Sequence, residues 1–572
     1  MSENSIPRIS AGIAVSMSGL VSLKTVRAIL ISLLCASYAV VVLTAVLRPM
    51  NGDEAIFLSD IHRTANGWDQ SLLQTVHTHL FWWWLPYVGL EEVGQTIIGR
   101  MINVVLWAGS LMLLYRLGRH LLDPLGALVG VVLFAVFLFS VASAADFRID
   151  GLVLPVLLSV ALLLLKPTTG RVAAAGALSA VALALTIKAV LWAPAFVGVL
   201  AVGLWDRQQR LRPILAGTLT GAATYACIML AHRWAIATDA NPEPGIPIDH
   251  LAGIGSYMFF DGLFPQSLVL GASLLHNPVT WTLIVIGSGL AVADLREPET
   301  RRVSLKLLFL AFPLISVAFY TNAFPYAYLV LIPTACLLAG KAFSRFLGTG
   351  EGVKGVTALL ALVGAAIPMA LFTSWELRED HTKQQRRVLS VVHQLFQEPV
   401  PYFDLGGMVA SFPRPRIAIT RAVLSGYKRA GVPVVANYIR GSGPPLLIVN
   451  SPSLNMWTDG KLEKVDPDIR LLPQDEEMLR ATYAHYWDRI YLAGRQWSDL
   501  GAGERREFEI VVPGEHTLLA QNAVTVDGRA YAPGATIALE AGPHELRTTA
   551  SEPDLRILWG KDLKLPSEDG QP

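Results

Sequence analysis

The sequence predicts an α-helical polytopic membrane domain followed by a C-terminal α/β plus β-sandwich region. Three observations predict it. Of 572 residues, 53% are hydrophobic and only 16% are charged, whereas soluble domains carry about a quarter charged residues. The deficit falls before about residue 375. Within that stretch, long apolar runs recur, and Lys and Arg concentrate on alternate connections between them.

The first apolar run, 27–47, is too long for a signal-peptide core and lacks a small-residue cleavage site. It reads as a retained signal anchor behind a cytoplasmic segment, 1–26. About eleven spans are expected, each needing about 20 mostly apolar residues. They centre on Leu34, Trp107, Leu133, Leu158, Val181, Val197, Ala222, Ile284, Phe312, Ile332 and Leu362. With the N-terminus in the cytoplasm, the cytoplasmic connections carry Arg116 and Arg119, Lys166 and Arg171, and Arg207, Arg210 and Arg212. Further on they carry Arg296, Arg301, Arg302 and Lys306, then Lys341, Arg345 and Lys354. Opposite loops are poorer in basic residues, so an odd number of spans puts the C-terminal region outside.

Two outer segments are long, 49–99 and 233–265. The first contains Asp53-Glu54-Ala-Ile-Phe-Leu-Ser-Asp-Ile-His with apolar residues at helical spacing, which predicts an amphipathic helix along the interface. Its Phe81-Trp82-Trp83-Trp84-Leu85-Pro86-Tyr87 favours the headgroup level. Beyond residue 375 the composition is ordinary. Residues 383–500 combine a helical pattern (Val388, Val391, Val392, Leu395) with short β-like runs at 434–436 and 446–449, predicting a small α/β unit. Residues 505–562 read as strands separated by turns, a small β-sandwich that resembles PEGA-type surface modules. Residues 566–572 read as a flexible tail.

The net charge of +1 gives no electrostatic support for a nucleic-acid partner. Cys35, Cys227 and Cys336 all lie in apolar runs, so neither a disulfide framework nor a zinc site is implied. Ionisable groups beside apolar spans are expensive and are functional candidates. They gather on the outer side: Asp53 and Glu54 after the first span, Arg100 at the second, Asp146, Arg148 and Asp150 in one short turn, and Lys188 in another. His77 and His79 lie in the first loop, and Tyr326 and Tyr328 begin the tenth span. A carboxylate in such a set can take a proton from an acceptor hydroxyl, and cations can hold a leaving phosphate. Plainer roles fit the same residues. Asp-Glu after a span also suits a solvated helix start, Arg148 and Asp150 suit an interfacial ion pair, and a lone Lys188 suits snorkelling. His77 and His79, two apart, would not share a helix face.

The order of these elements carries a resemblance. Gly52-Asp53-Glu54-Ala55 is followed by Thr78-His79-Leu80-Phe81-Trp82-Trp83-Trp84-Leu85, then Gly99-Arg100-Met-Ile-Asn and Phe147-Arg148-Ile-Asp150-Gly151. Leu185-Thr186-Ile-Lys188 and Phe324-Pro325-Tyr326-Ala-Tyr328 come after. Over residues 27–375 the chain resembles the GT-C class of membrane glycosyltransferases, in the branch of protein O-mannosyltransferases and the lipid A aminoarabinose transferase. The resemblance implies inverting transfer from a polyprenyl-phosphate sugar to a glycan, lipid or protein acceptor, in the bilayer of the bacterial cytoplasmic membrane, with the C-terminal region periplasmic or extracellular. It implies Asp53, Glu54 and Asp150 as catalytic. Arg148, Lys188, Arg100, His79, Tyr326 and Tyr328 become the donor-phosphate or substrate contacts. Metal dependence stays open: some members use a divalent cation, and Asp53 and Glu54 could supply ligands. One departure is that the Lys-Pro-Pro-Leu-Tyr-Tyr-Trp type segment of the aminoarabinose branch is missing, with Thr78-His79 in its place. That argues against assuming aminoarabinose or lipid A. A transporter or flippase for a lipid-linked glycan is the rival reading, and a non-catalytic scaffold the third.

Overall fold

The structure, a computed structural model, describes residues 23–68, 76–205, 210–236, 262–347, 353–376, 378–415, 427–457 and 465–565. The expected N-terminal segment (up to residue 22), most of the second long outer segment and the 566–572 tail lie outside the described residues.

The N-terminal part is helical. It comprises α1 (Leu23–Leu47), α2 (Gly52–Ala65), α3 (Glu92–Arg119), α4 (Pro124–Val136), α5 (Leu138–Ala144), α6 (Ile149–Leu164), α7 (Thr169–Leu185), α8 (Ala193–Gly203) and α9 (Leu211–Ile236). These are followed by α10 (Ser267–His276), α11 (Pro278–Ala293), α12 (Pro298–Leu310), α13 (Phe312–Ile315), α14 (Tyr328–Leu331), α15 (Ala335–Leu347) and α16 (Val353–Glu376). Among the described residues, four helices are long and apolar enough to cross a membrane, or up to six if each bent pair is one span. The other apolar helices have 10–17 residues, so the expected count of about eleven is not reached by length and composition alone.

Breaks account for much of the shortening. α4 and α5 meet at 67°, and the pair around residues 332–335 at 65°. At the first break Phe137 is extended, which leaves the Leu138 N–H without its helical partner. The buried Asn277 side chain accepts it at 3.0 Å. At the second, the Cys336 and Leu337 N–H groups reach the Ile332 and Thr334 carbonyls at 3.1 and 3.2 Å. In an apolar setting each such group must find a substitute partner. α7 and α9 pack through small residues: a Cβ on Gly176 would meet the Gly217 carbonyl oxygen at 2.0 Å, so only glycine lets the backbones approach this closely.

α2 joins the two halves of the molecule. Asn51 caps it, Asp53 and Glu54 occupy its first turn and His62 and Arg63 its last, an arrangement that complements the helix dipole. Its apolar face (Ala55, Leu58, Ile61) shares a core with Trp82, Leu85 and Phe147 and with Val388, Val391 and Val392 of α17 (Thr382–Leu395). Gln385 of α17 clamps the Met50 backbone, accepting its N–H and donating to its carbonyl, both at 2.7 Å. Arg63 donates to the Arg414 carbonyl at 2.6 Å, and Arg414 donates to the Ser59 hydroxyl at 3.1 Å. The tryptophan cluster is therefore split. Trp82 is buried edge-on against Phe147 at 4.8 Å, whereas Trp83 is exposed.

The C-terminal part holds the strands β1 (Tyr402–Phe403), β2 (Leu446–Ile448), β3 (Tyr483–Trp487), β4 (Ile490–Leu500), β5 (Arg505–Ile510), β6 (Gly514–Leu519), β7 (Val524–Val526), β8 (Arg529–Tyr531), β9 (Thr536–Leu539), β10 (Gly542–Thr548) and β11 (Glu552–Trp559). One sheet has seven strands, in the order β1-β2-β4-β11-β6-β9 with β3 beside β4. The other has four, β5-β10-β7-β8. β4 pairs antiparallel with β11, so one sheet runs from the 383–500 segment into the 505–562 segment. Leu500, Phe508, Leu518, Val526, Leu546 and Ile557 fill the space between the two sheets. The Asp527-Gly528 turn has positive φ at both residues (48° and 77°), the hairpin geometry that this dipeptide favours.

One expectation fails. Residues 434–436 do not form a strand but open the helix α18 (Val434–Ser442). Pro433 precedes it, Gly443 closes it with φ 52°, and Val435, Ala436 and Ile439 form one buried face. Three apolar residues are too few to separate a period of 2 from one of 3.6.

Candidate active site

Asp53 and Glu54 are adjacent on α2 but meet different partners. The Asn51 side chain accepts the Glu54 N–H at 3.0 Å, and the Glu54 carboxylate accepts the Asn51 N–H at 2.9 Å. This capping box fixes the Glu54 side chain. The same carboxylate accepts Arg100 Nε at 2.8 Å, Arg100 Nη2 at 2.6 Å and the Phe147 N–H at 2.7 Å. Arg100 also donates to the Arg48 and Pro49 carbonyls, at 2.6 and 2.8 Å, where α1 has ended. Both side chains are fully buried. Burial by itself would raise the Glu54 carboxyl, but the charge and hydrogen bonds of Arg100 and the two backbone N–H groups together hold its pKa below the ordinary carboxylate range. Its lone pairs are committed, so this pair ties α1, α2, α3 and the Phe147 turn together.

Asp53 is 49% exposed and pairs with Arg148, which is 9% exposed. Arg148 precedes α6, and its Nε lies 3.4 Å from Asp150 Oδ2. The other Asp150 oxygen accepts Lys188 Nζ at 2.6 Å. The ring of Tyr326 lies under both cations, 3.7 Å from the guanidinium carbon and 4.5 Å from the ammonium. Burial opposes the Arg148 charge, but Asp150 and Asp53 outweigh it and hold its pKa above the usual arginine value. The cluster is a chain, Asp53–Arg148–Asp150–Lys188, with two charges of each sign. Buried charges persist only when paired in this way. Its half-exposed end is the Asp53 carboxylate.

Local sequence explains the placement. α7 ends at Leu185, and Thr186 accepts the Lys188 N–H at 3.4 Å, starting the short turn that carries Lys188. Pro325 starts the turn that carries Tyr326. Asn103, three residues after Arg100 and so on the same face of α3, donates to the Asp146 and Arg148 carbonyls at 2.7 and 3.0 Å. A Cβ on Gly99 would meet the Phe147 ring at 2.3 Å, so glycine lets the turn seat against α3.

Of the residues singled out from sequence, Asp53, Arg148, Asp150, Lys188 and Tyr326 come together. Glu54 and Arg100 form the separate buried pair. Tyr328 does not join the cluster; it is fully buried beside Phe137 and Phe139, at ring distances of 6.1 and 5.3 Å. His79 lies on the Thr78–Trp82 turn, and its side chain is outside the described residues. Asn103 and Phe57 were not singled out as site residues, although Phe57 falls one helical turn from Asp53 and its ring is 5.9 Å from the Arg148 guanidinium.

Asp53 and Glu54 alone do not make a divalent-cation site. Among the described residues no group of three or more His, Cys, Asp or Glu side chains could hold a metal ion. Asp53 and Glu54 each already face an arginine. The two cations of the cluster, Arg148 and Lys188, are balanced by the carboxylates of Asp53 and Asp150.

Comparison with known proteins places this geometry in context. No family model matches the chain and no curated protein matches it, so the transferase branch and the PEGA-type likeness gain no support from sequence. Solved structures do match in fold. The oligosaccharyltransferase of Archaeoglobus fulgidus, tethered to an acceptor peptide containing the NVT sequon, aligns with a TM-score of 0.50 at 10% identity, covering 90% of this chain and 76% of that one. The same enzyme in complex with Zn and sulfate aligns with a TM-score of 0.50 at 9% identity, covering 90% and 94%. At these identities the likeness is one of fold: helical N-terminal and strand-bearing C-terminal parts arranged as in that oligosaccharyltransferase.

Proposed function

We propose that this protein is an inverting glycosyltransferase that moves a sugar from a polyprenyl-phosphate donor to a glycan, lipid or protein acceptor at the outer face of the cytoplasmic membrane. The observation that carries the reading is the ordered chain from a half-exposed carboxylate, Asp53, through Arg148 and Asp150 to Lys188. The likeness in fold to an oligosaccharyltransferase supports it.

The donor phosphate binds at Arg148 and Lys188. It competes with Asp53 for Arg148 and so releases the Asp53 carboxylate. Asp53 takes the proton of the acceptor hydroxyl as its oxygen attacks the anomeric carbon. The bond from that carbon to the phosphate oxygen breaks, and its electron pair leaves with the lipid phosphate. The two cations stabilise that charge. Asp150 holds both cations in place and is a positioning residue in this scheme, as are Glu54 and Arg100.

The two broken helix pairs favour a second reading, a transporter for a lipid-linked glycan, because transporters build sites at such breaks. Against it, the side chain that closes the first break is the uncharged Asn277. The test is sugar transfer by purified protein, with labelled polyprenyl-phosphate sugars and membrane extract as the acceptor source. Transfer by wild type that is lost in Asp53→Asn supports the enzyme. A folded protein that transfers nothing but moves labelled lipid between leaflets supports the transporter.

A further inference from the structure

The charged chain occupies one end of the helical part, and the opposite end holds cations that no step of the reaction uses. α6 starts beside Asn103 of α3, and the two helices pack along each other from there. α3 closes with Arg116 and Arg119, and His120 follows it. The turn after α6 carries Lys166, and the first turn of α7 carries Arg171. This is the face that the sequence predicts to be cytoplasmic.

Two observations bring these groups together. Arg171 Nη1 donates to the Lys166 carbonyl at 3.3 Å. Partial burial, then repulsion from Lys166 and Arg171, lowers the His120 pKa, so the end of α3 stands within Coulomb range of the α6–α7 turn. Arg116, Arg119, Lys166 and Arg171 are all exposed, and none takes part in an ion pair among the described residues. The nearest acid along the chain, Asp123, is engaged elsewhere. It accepts the Leu125 and Gly126 N–H groups at 2.9 and 3.1 Å and the Ser344 hydroxyl. This differs from the Asp53 cluster, where each cation faces a carboxylate. Clustered cations without counter-charges attract an anion.

The surface leading to the cations selects the kind of anion. Val105 and Met112 of α3 are 63% and 57% exposed. Their spacing of seven puts them on one face, and that face continues into Arg116 and Arg119. From Val105 to Arg116 is eleven residues, roughly 16 Å of helix, which is about half of the ~30 Å hydrocarbon core of a bilayer. An exposed apolar stripe one leaflet deep that ends in cations matches a phospholipid, with its chains on the stripe and its phosphate at the end. A soluble anion would make no use of the stripe.

We propose that one anionic phospholipid of the cytoplasmic leaflet binds where the end of α3 meets the α6–α7 turn, with its acyl chains along Val105 and Met112. Basic pockets between helix ends on this side of a membrane commonly hold such headgroups. The site does not depend on the transferase reading.

The test is titration of full-length protein in neutral detergent with phosphatidylglycerol, followed by native mass spectrometry, with phosphatidylcholine as the uncharged comparison. Three variants each lose two exposed charges. Arg116→Gln/Arg119→Gln and Lys166→Gln/Arg171→Gln read the site from its two sides. Arg296→Gln/Arg301→Gln removes the same charge from another connection on the same face. Wild type should bind one phosphatidylglycerol in preference to phosphatidylcholine. Each of the first two variants should weaken that binding about thirtyfold, the scale for two cations near a membrane surface, and the third should leave it unchanged. Equal weakening in all three would show a diffuse attraction by the whole face and overturn the site. Equal binding of the two lipids by wild type would overturn it too. Displacement by glycerophosphoglycerol, the headgroup without chains, as effectively as by the lipid itself would make the ligand a soluble anion and overturn the lipid.

Discussion

Asp53 and Glu54 are consecutive, alike in charge and in the same helical turn, yet the fold treats them oppositely. Glu54 is fully buried, bonded to Arg100 and to two backbone N–H groups, and its partner touches the end of α1. Asp53 is half exposed and holds one arginine that is shared with Asp150. A carboxylate with every lone pair engaged stores stability. One with a free edge and a replaceable partner can do chemistry. The pair shows that an acidic residue near a membrane span is not a site until its partners are counted.

Five substitutions test that contrast, from the largest effect to the smallest. Asp53→Asn should lower kcat by about 10²- to 10⁴-fold, with thermal unfolding in detergent close to wild type; substantial residual transfer would end the role of Asp53 as base. Glu54→Gln should do the reverse. It strands the Arg100 charge in a buried site, at a cost of about 3–5 kcal/mol in stability, read as a lower Tm or poor recovery of folded protein. If Glu54→Gln is stable and inactive, the division between the two residues is wrong. Lys188→Ala should reduce kcat by about 10²-fold, the scale for one lost donor to a developing anion, and inorganic phosphate should then inhibit less than it does wild type. Asn103→Ala removes the donor to the Asp146 and Arg148 carbonyls and should cost about 1–3 kcal/mol, with a smaller kcat loss than Lys188→Ala.

The smallest effect concerns the junction. The hydrogen bond from Glu92, then partial burial opposing it, then the Glu92 and Glu91 charges leave the His393 pKa raised. A raised histidine contributes stability that is fully present below about pH 6.5, its unfolded value, and lost as pH rises through the higher folded value. The Tm of wild type should therefore fall over that window, and His393→Gln should flatten the profile. An identical slope in both proteins would remove His393 from the docking of α17.

Much of the candidate site was legible in sequence because its residues are costly beside apolar helices. Asp53, Arg148, Asp150 and Lys188 stood out for that reason, and the structure brings them to one cluster. Their division of labour was not legible. Tyr326 and Tyr328 differ by two positions, yet one lies under the cations and the other sits in the aromatic core, because the chain turns from a 3₁₀ segment into α14 between them. The run 434–436 read as β for want of length, and a proline before it and a left-handed glycine after its helix decided otherwise.

By itself the sequence determined the apolar helical part, the turn-rich strands after it and the Asp-Gly hairpin, since each follows from local composition and spacing. Only the tertiary structure decided which acid is buried and which is exposed, that Trp82 packs inward while Trp83 does not, and that α17 docks against α2. Those outcomes depend on contacts such as Arg100 with Glu54, Gln385 with Met50 and Arg63 with Arg414, which join residues 46, 335 and 351 positions apart. Local propensity carries no information on such pairs; burial of charge and satisfaction of every buried polar group select them once the chain has closed.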